Sequence, residues 1–204
     1  EAFVPGDDLA SPYGNHFLTS CCHAWSCGPT YLLRSPRFRA LSSPSAPLYD
    51  SFRPGEEWLD TDGKPIQAHA GSLIVVDGVY YWYGENKEFT DGKNGIWHWG
   101  VRCYTSKDLY NWKDEGYLVP PELQDKDSLF YPTRRLDRPH LLYNKRTKQY
   151  VLWIKFIDEA HFSVLVSDRL MGEYRVVRRE LRPFGANCGD FDLAVDPETE
   201  RGYL

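Results

Sequence analysis

Short strand-like runs occur in two sets of four between residues 71 and 181, and this repeat constrains the fold more than any other feature of the sequence. In both sets a similar corner separates the third run from the fourth; it reads YTSKDLYNW in the first set and LVSDRLMGEY in the second. The corners share a serine, a leucine and an aromatic residue, with one extra residue in the second copy. Sets of four strands that repeat about every 50 residues are typical of β-propeller blades.

The repeat therefore predicts an all-β fold of the propeller type. Blade one is expected at about residues 66–119, blade two at about 136–183, and a third blade begins at about 188. A closed propeller has at least about four blades, so we expect an incomplete one of about two and a half blades here. A β-sandwich with similar hairpins is the alternative, but the repeated corner favours the propeller. Residues 1–56, with Ser and Pro in clusters, are predicted to be a leader or linker of low order.

Composition excludes some functional classes and favours others. The formal net charge of −5 argues against a nucleic-acid partner, because no basic face is large enough to displace counterions from phosphates. No apolar run is long enough to span a bilayer. The 7 Trp and 14 Tyr residues suit β-sheets and also surfaces that stack against sugar rings. The sequence does not indicate an oligomeric state.

The five cysteines do not predict a metal site. Cys21, Cys22 and Cys27 lie close together, but no CxxC pair recurs and His23 alone does not complete a zinc site. We therefore expect no metal at this cluster.

Polar residues stand just before the first apolar run of each predicted blade: His69, Asp137 and Asp190. Because the first strand of every blade lines the central channel, we expect these side chains to converge at one end of the axis. Asp137 precedes Tyr150 by 13 residues, and Asp190 precedes Tyr203 by the same number. Convergent carboxylates among aromatic side chains are suited to cleavage of glycosidic bonds, in which one carboxyl group must stay protonated.

Four stretches in this order carry a resemblance to a known family: WLDTDGKPIQAHAGSLIVVDGVYYWYGE, YTSKDLYNWKDEG, DRPHLLYNKRTKQYVLWIK and GDFDLAVD. They resemble glycoside hydrolase family 43, and most closely its galactan 1,3-β-galactosidase (exo-β-1,3-galactanase) branch. The resemblance covers about residues 57–204 and corresponds to the N-terminal part of the catalytic domain.

The resemblance implies a five-bladed propeller that hydrolyses a β-1,3-galactan-like polysaccharide with inversion, outside the cell and without a metal or other cofactor. It also implies that the general acid lies on a fourth blade, which is expected beyond Leu204. We therefore expect the 204-residue chain alone to be inactive.

The resemblance also assigns roles to individual residues. Asp137 falls on a glutamate of blade two, one methylene longer in the branch, and Asp190 falls on the blade-three aspartate that tunes the acid. Glu85 matches a glutamate of the sugar pocket, and His69 matches a histidine of blade one. These four residues are the candidates for catalysis and sugar binding.

Each candidate has a structural alternative, which for Asp137 is a solvated turn. Glu85 could end a strand as the ion-pair partner of Lys87, and Asp190 could cap a turn, which leaves Asp192 as the other carboxylate on that strand face. His69 is as well explained by a buried histidine that hydrogen-bonds the backbone as by a sugar donor.

Two tryptophans in the long loop of blade one are candidates for a sugar platform. Trp97 and Trp99 lie in a loop rather than on an alternating strand, and His98 between them is predicted to be exposed. The alternative to an enzyme is a non-catalytic carbohydrate-binding propeller, or an inactive relative with a structural role. The one-methylene shortening at Asp137 and the irregular N-terminal segment favour this alternative, and the retention of Glu85, His69 and Asp190 favours the enzyme.

Overall fold

The computed structural model describes residues 48–204, and this part of the chain is all-β with antiparallel sheets and no α-helix. The predicted leader lies mainly in residues 1–47, outside the described residues, as do Cys21, Cys22 and Cys27. No helix in the described part is long and apolar enough to cross a membrane. The strands are β1 (His69–Val76), β2 (Val79–Glu85), β3 (Val101–Ser106), β4 (Lys113–Val119), β5 (Leu136–Asn144), β6 (Gln149–Phe156), β7 (His161–Ser167), β8 (Arg175–Leu181), β9 (Ala194–Val195) and β10 (Gly202–Tyr203).

The strands form two four-stranded sheets and one two-stranded ribbon. Sheet one has the order β1-β2-β3-β4, sheet two has the order β5-β6-β7-β8, and β9 pairs with β10. Within each sheet, neighbouring strands are therefore consecutive in the sequence. The prediction of two sets of four short strands in an all-β chain is confirmed.

The turn between β1 and β2 follows from its two residues. Asp77 and Gly78 both have positive φ, 50° and 75°, as a two-residue type I′ hairpin requires. This turn fixes the register in which Val76 pairs with Val79. Aspartate followed by glycine is favoured there because both residues tolerate the left-handed region.

The core lies where β5 packs against β1 and β2. Tyr83 of β2 is buried, and its hydroxyl accepts a hydrogen bond of 2.8 Å from the backbone N–H of Leu141 in β5. Leu136, Leu152 and Leu165 of sheet two are fully buried in the same cluster. This packing brings the first strands of the two sheets together and so positions the polar residues at their ends.

A β-bulge near the start of each sheet's first strand controls the direction of these polar residues. In sheet one, His69 pairs with Glu85 and the register shifts before Ser72. In sheet two, Asp137 pairs with Lys155 and the register shifts before His140. A bulge bends its strand and redirects side chains, which is common beside functional sites.

The two bulges share an unusual backbone conformation. Ala70 and Arg138, each the residue after the paired one, have φ of 48° and 47°. The next residue is Gly71 in sheet one and Pro139 in sheet two. A Cβ atom at Gly71 would lie 1.7 Å from the carbonyl oxygen of Tyr83, so that position accepts only glycine.

Candidate functional site

A cluster of charged side chains lies where β1 and β5 begin and β2 and β6 end. The bulges place His69 and Asp137 at the starts of β1 and β5. The paired residues, Glu85 on β2 and Lys155 on β6, stand opposite them. The segment between β8 and β9 adds Asp190 to the same cluster. The structure therefore brings together the four predicted candidates, with a lysine that the sequence analysis did not single out.

Glu85 is the buried centre of this cluster. Its side chain is completely buried; Oε1 accepts a hydrogen bond of 3.3 Å from the backbone N–H of Arg138, and Oε2 lies 2.5 Å from Nζ of Lys87. Burial raises the pKa of Glu85 to about 8, a hydrogen bond with the Asp137 carboxyl also raises it, and Lys87 opposes the shift. Burial therefore favours the protonated form of Glu85, whereas Lys87, the ion-pair partner foreseen as the structural alternative, favours the carboxylate.

Asp137 and Asp190 are joined by one lysine. Nζ of Lys155 lies 3.3 Å from Oδ2 of Asp137 and 3.0 Å from Oδ1 of Asp190. Nε of Arg138 donates a second hydrogen bond, of 2.7 Å, to the same Oδ1 of Asp190. Lys155 and Arg138 lower the pKa of Asp190, whose side chain is largely exposed and open to a ligand. Asp137 is mostly buried, so its carboxyl group contacts other residues of the cluster rather than solvent.

His69 lies on the open side of the cluster. Its side chain is 63% exposed and its Nδ1 lies 3.5 Å from Oε1 of Glu85. Partial burial and then the charge of Lys87 lower the pKa of His69, so the ring is neutral at pH 7. The exposed ring does not fit the alternative of a buried histidine, and it leaves His69 accessible to a ligand.

The two loop tryptophans have different surroundings. The Trp97 ring centroid lies 4.2 Å from Nζ of Lys87 and 4.6 Å from Cζ of Arg135, and its Nε1 donates to the carbonyl of Leu136 at 2.8 Å. These cation–π contacts occupy a ring that was predicted as a sugar platform. Trp99 packs edge-on against Phe89, with ring centroids 4.8 Å apart.

The prediction that His98 is exposed is wrong. His98 is completely buried, its Nδ1 accepts a hydrogen bond from the backbone N–H of Gly100, and burial lowers its pKa to about 4. The loop is held inward because the backbone N–H groups of Trp97 and His98 both donate to the carbonyl of Pro132. A loop that packs against another loop can bury a polar side chain that strand periodicity does not mark.

Asp192, the alternative carboxylate, has a different partner. Its Oδ1 lies 3.2 Å from Nδ1 of His140, a mostly buried residue of the second bulge. Between Asp190 and Asp192, the Phe191 ring packs against His140 and Phe162. Asp190 therefore contacts the Asp137 cluster, and Asp192 lies beside it.

The turns show that the segment from Asp190 to Tyr203 does not repeat the segment from Asp137 to Tyr150 residue for residue. Asn144 and Asp196 cap equivalent turns, since the side-chain oxygen of each accepts hydrogen bonds from the backbone N–H groups two and three residues later. Asp137 lies seven residues before its turn and Asp190 six residues before its own. The equal 13-residue spacings therefore do not mark equivalent positions. Asp190 reaches Asp137 through Lys155 rather than by strict repetition.

Metal-ligating groups are not clustered in the described residues: no group of three or more His, Cys, Asp or Glu side chains between 48 and 204 is arranged to hold a metal ion. Cys103 and Cys188 are free thiols. Lys155 had one sequence signal, since it is the only charged residue in the strand run QYVLWIKF.

No protein-family model and no curated protein matches this chain. Solved structures do match it. A β-1,3-galactosidase of glycoside hydrolase family 43 is 33% identical, with a TM-score of 0.64 over 74% of this chain and 32% of its own. The exo-β-1,3-galactanase of Phanerochaete chrysosporium, solved with galactose, is 27% identical, with a TM-score of 0.64 over 73% of this chain and 34% of its own. The exo-β-1,3-galactanase of Clostridium thermocellum is 26% identical, with a TM-score of 0.57 over 73% of this chain and 33% of its own.

The chain thus spans about a third of the length of these proteins. A variant of the fungal galactanase was solved with β-1,3-galactotriose and matches with a TM-score of 0.63. The resemblance to family 43 galactanases, read first from the sequence, is confirmed by these structures.

Proposed function

We propose that this chain is the N-terminal part of a family 43 glycoside hydrolase that releases galactose from a β-1,3-galactan with inversion. In this proposal the two four-stranded sheets are blades one and two of a five-bladed propeller, and the protein acts outside the cell. One observation carries the proposal: the fully buried Glu85 lies at the end where the two sheets meet, beside Asp137, which Lys155 links to Asp190. The galactanase structures that match the chain support the choice of sugar.

The proposed roles follow from the state of each group. A protonated Glu85 can donate a hydrogen bond, whereas the carboxylate of Asp190 can only accept hydrogen bonds from sugar hydroxyls. His69 lies at the open side, where its neutral ring can contact the same sugar. Inversion needs a general acid and a base about 6.5–9.5 Å apart, with a water between them. We propose that this acid and base belong to later blades, as the family resemblance implies.

Consequently, we propose that the 204-residue chain binds galactose but does not hydrolyse a galactan. Binding is measured by titration of the labelled chain with galactose, followed by NMR. Hydrolysis is measured as galactose released from β-1,3-galactan. Galactose release by the purified chain would contradict the proposed inactivity, and failure of galactose to shift signals of Glu85 or Asp190 would contradict the sugar site.

A second candidate function is a carbohydrate-binding protein without catalysis. It is favoured by the fact that each carboxyl group of the cluster contacts a cation: Lys87 at Glu85, and Lys155 at Asp137 and Asp190. Such pairing suits fixed hydrogen-bonding groups better than proton transfer. An assay of the full-length protein that contains this chain separates the two functions. An inverting enzyme releases α-galactose first from a β-linked substrate, which proton NMR detects, whereas a binding protein releases no galactose.

Asp190→Asn in that full-length protein tests the site residue. Because the Asp190 side chain is largely exposed, we expect the free energy of unfolding to change by less than about 0.5 kcal/mol. We expect kcat/KM to fall roughly 100-fold, since the hydrogen-bonding carboxylate is lost. Asp168→Asn, at an exposed corner, is the matched control. An unchanged rate in Asp190→Asn would remove its assigned role.

A further inference from the structure

Lys155 is a mostly buried lysine on β6, to which the proposed hydrolase function assigns no role. Only 11% of its side chain is exposed, and its neighbours in the strand, Ile154 and Phe156, are apolar and buried. A lysine is rarely so buried unless it is paired, because its ammonium group must be desolvated. The burial therefore calls for partners, and the structure provides two.

The two partners of Lys155 come from separate parts of the chain. Nζ lies 3.3 Å from Oδ2 of Asp137, near the start of β5, and 3.0 Å from Oδ1 of Asp190, between β8 and β9. An ammonium group has three donors, so one lysine can bind both carboxylates at the same time. Without the cation, two carboxylates brought close together would repel each other.

Asp190 depends on such contacts for its position. It lies in a segment without regular structure, where its side chain is largely exposed. Its side-chain contacts in the cluster come from sheet two, through Lys155 and Arg138, and both go to Oδ1. Arg138 approaches from an exposed position, while Lys155 contacts Asp190 from the buried side.

We infer that Lys155 is a positioning residue, which holds the carboxylates of Asp137 and Asp190 together in one sugar-binding arrangement. The inference rests on the proposed function for its ligand, but the contacts it describes exist without one. Lys155 acts through the two aspartates, so its removal displaces Asp190 rather than removing a sugar contact.

The experiment compares Lys155→Met with the parent 204-residue chain. Met has a similar length without charge, and Lys145→Met is the matched control, because Lys145 forms an exposed ion pair of 3.2 Å with Glu200 far from the cluster. The first measurement is the carboxyl ¹³C titration of Asp190. We expect its pKa to rise towards the ordinary value in Lys155→Met and to stay depressed in Lys145→Met.

The second measurement is galactose affinity, by NMR titration. We expect Lys155→Met to bind galactose about 10-fold more weakly, because a charge-assisted contact that orders the site is lost. Lys155→Arg keeps the charge, so we expect it to keep the Asp190 titration close to that of the parent chain. Lys155→Gln provides neutral amide N–H donors in place of the charged ammonium group and replaces Lys155→Met if the latter does not fold.

The outcomes separate the two proposals. An unchanged Asp190 titration in both neutral variants overturns the positioning role, whatever the affinity. A shifted Asp190 titration in a chain that does not bind galactose supports the positioning role and rejects the sugar ligand. A shifted titration together with weaker binding supports both.

Discussion

The two bulges of the molecule share one backbone shape and carry opposite chemistry. In sheet one a histidine, His69, faces the carboxyl group of Glu85; in sheet two a carboxylate, Asp137, faces the ammonium group of Lys155. The residue that follows the bulge pair has φ of 48° in one case and 47° in the other, at Ala70 and Arg138. Acid and base have therefore exchanged places on an almost identical backbone.

The difference shows how a repeated backbone can assemble a site that is not itself repeated. Because the order of acid and base is reversed, the carboxyl group of Glu85 meets that of Asp137 in the centre. Lys87 contacts the first of these carboxyl groups and Lys155 contacts the second. If both bulges carried acid and base in the same order, like groups would lie at equivalent positions and the two carboxyl groups would not meet.

The largest effect is expected from a substitution at Gly71, the third residue of the bulge in sheet one. Gly71→Ala should destabilise the chain by about 3 kcal/mol or more, because the new methyl group would overlap the Tyr83 carbonyl. Gly189→Ala is the matched control, since a Cβ there meets nothing within 4 Å and the change should be small. Both are measured by urea denaturation. Equal midpoints for the two variants would show that the first bulge is not fixed as described.

The next largest effect is the pH dependence of stability that the carboxyl group of Glu85 causes. The pKa of Glu85 is about 8 in the folded chain against an ordinary value of 4.5, so the folded state holds the proton more tightly. This contribution to stability is complete below pH 4.5 and is lost as pH rises towards 8. The free energy of unfolding should therefore fall between about pH 6.5 and 8, by at most about 1.4 kcal/mol per pH unit, whereas below pH 6.5 the lowered pKa of the buried His98 acts in the opposite direction.

Glu85→Gln removes the titrating group and should flatten this pH dependence. Glu200→Gln, on the exposed surface, should leave it intact. Urea midpoints at pH 5, 6, 7 and 8 provide the measurement. A slope in Glu85→Gln as steep as in the parent chain would place the titrating group elsewhere.

The smallest effect tests the shared positive φ. Ala70 has a left-handed conformation that costs a residue with a Cβ about 1–2 kcal/mol, so Ala70→Gly should stabilise the chain by about 0.5–1 kcal/mol once the flexibility of glycine is counted. Ala68→Gly is the control, because Ala68 has no positive φ and its buried methyl group would be lost. Destabilisation by Ala70→Gly would mean that the bulge carries no strain.

Much of the fold could be predicted from the sequence because the strands repeat locally. Hairpin signals such as Asp77-Gly78 and the alternation within each run depend on neighbouring residues, and all eight strands of the two sheets were found. The convergence of Asp137 and Asp190 was also expected from their places before apolar runs. The hairpins and strands depend on short spacings, which one sequence displays directly.

The centre of the site could not be predicted in the same way. Glu85 meets the backbone of Arg138, 53 residues later, and this contact depends on how the two sheets pack. Lys155 was missed because a lysine within an apolar strand has no local signature of its partners. The burial of His98 likewise depends on one loop packing against another.

The positive φ at Arg138 allows one residue to serve two carboxyl groups through separate atoms. Its guanidinium group binds Asp190, while its backbone N–H donates to Glu85. The second link is made by the main chain, so ordinary side-chain substitutions at this position leave it in place. As related sequences diverge, the arginine can be replaced while the backbone hydrogen bond between the two sheets is kept. A comparison of side chains alone would not reveal that hydrogen bond.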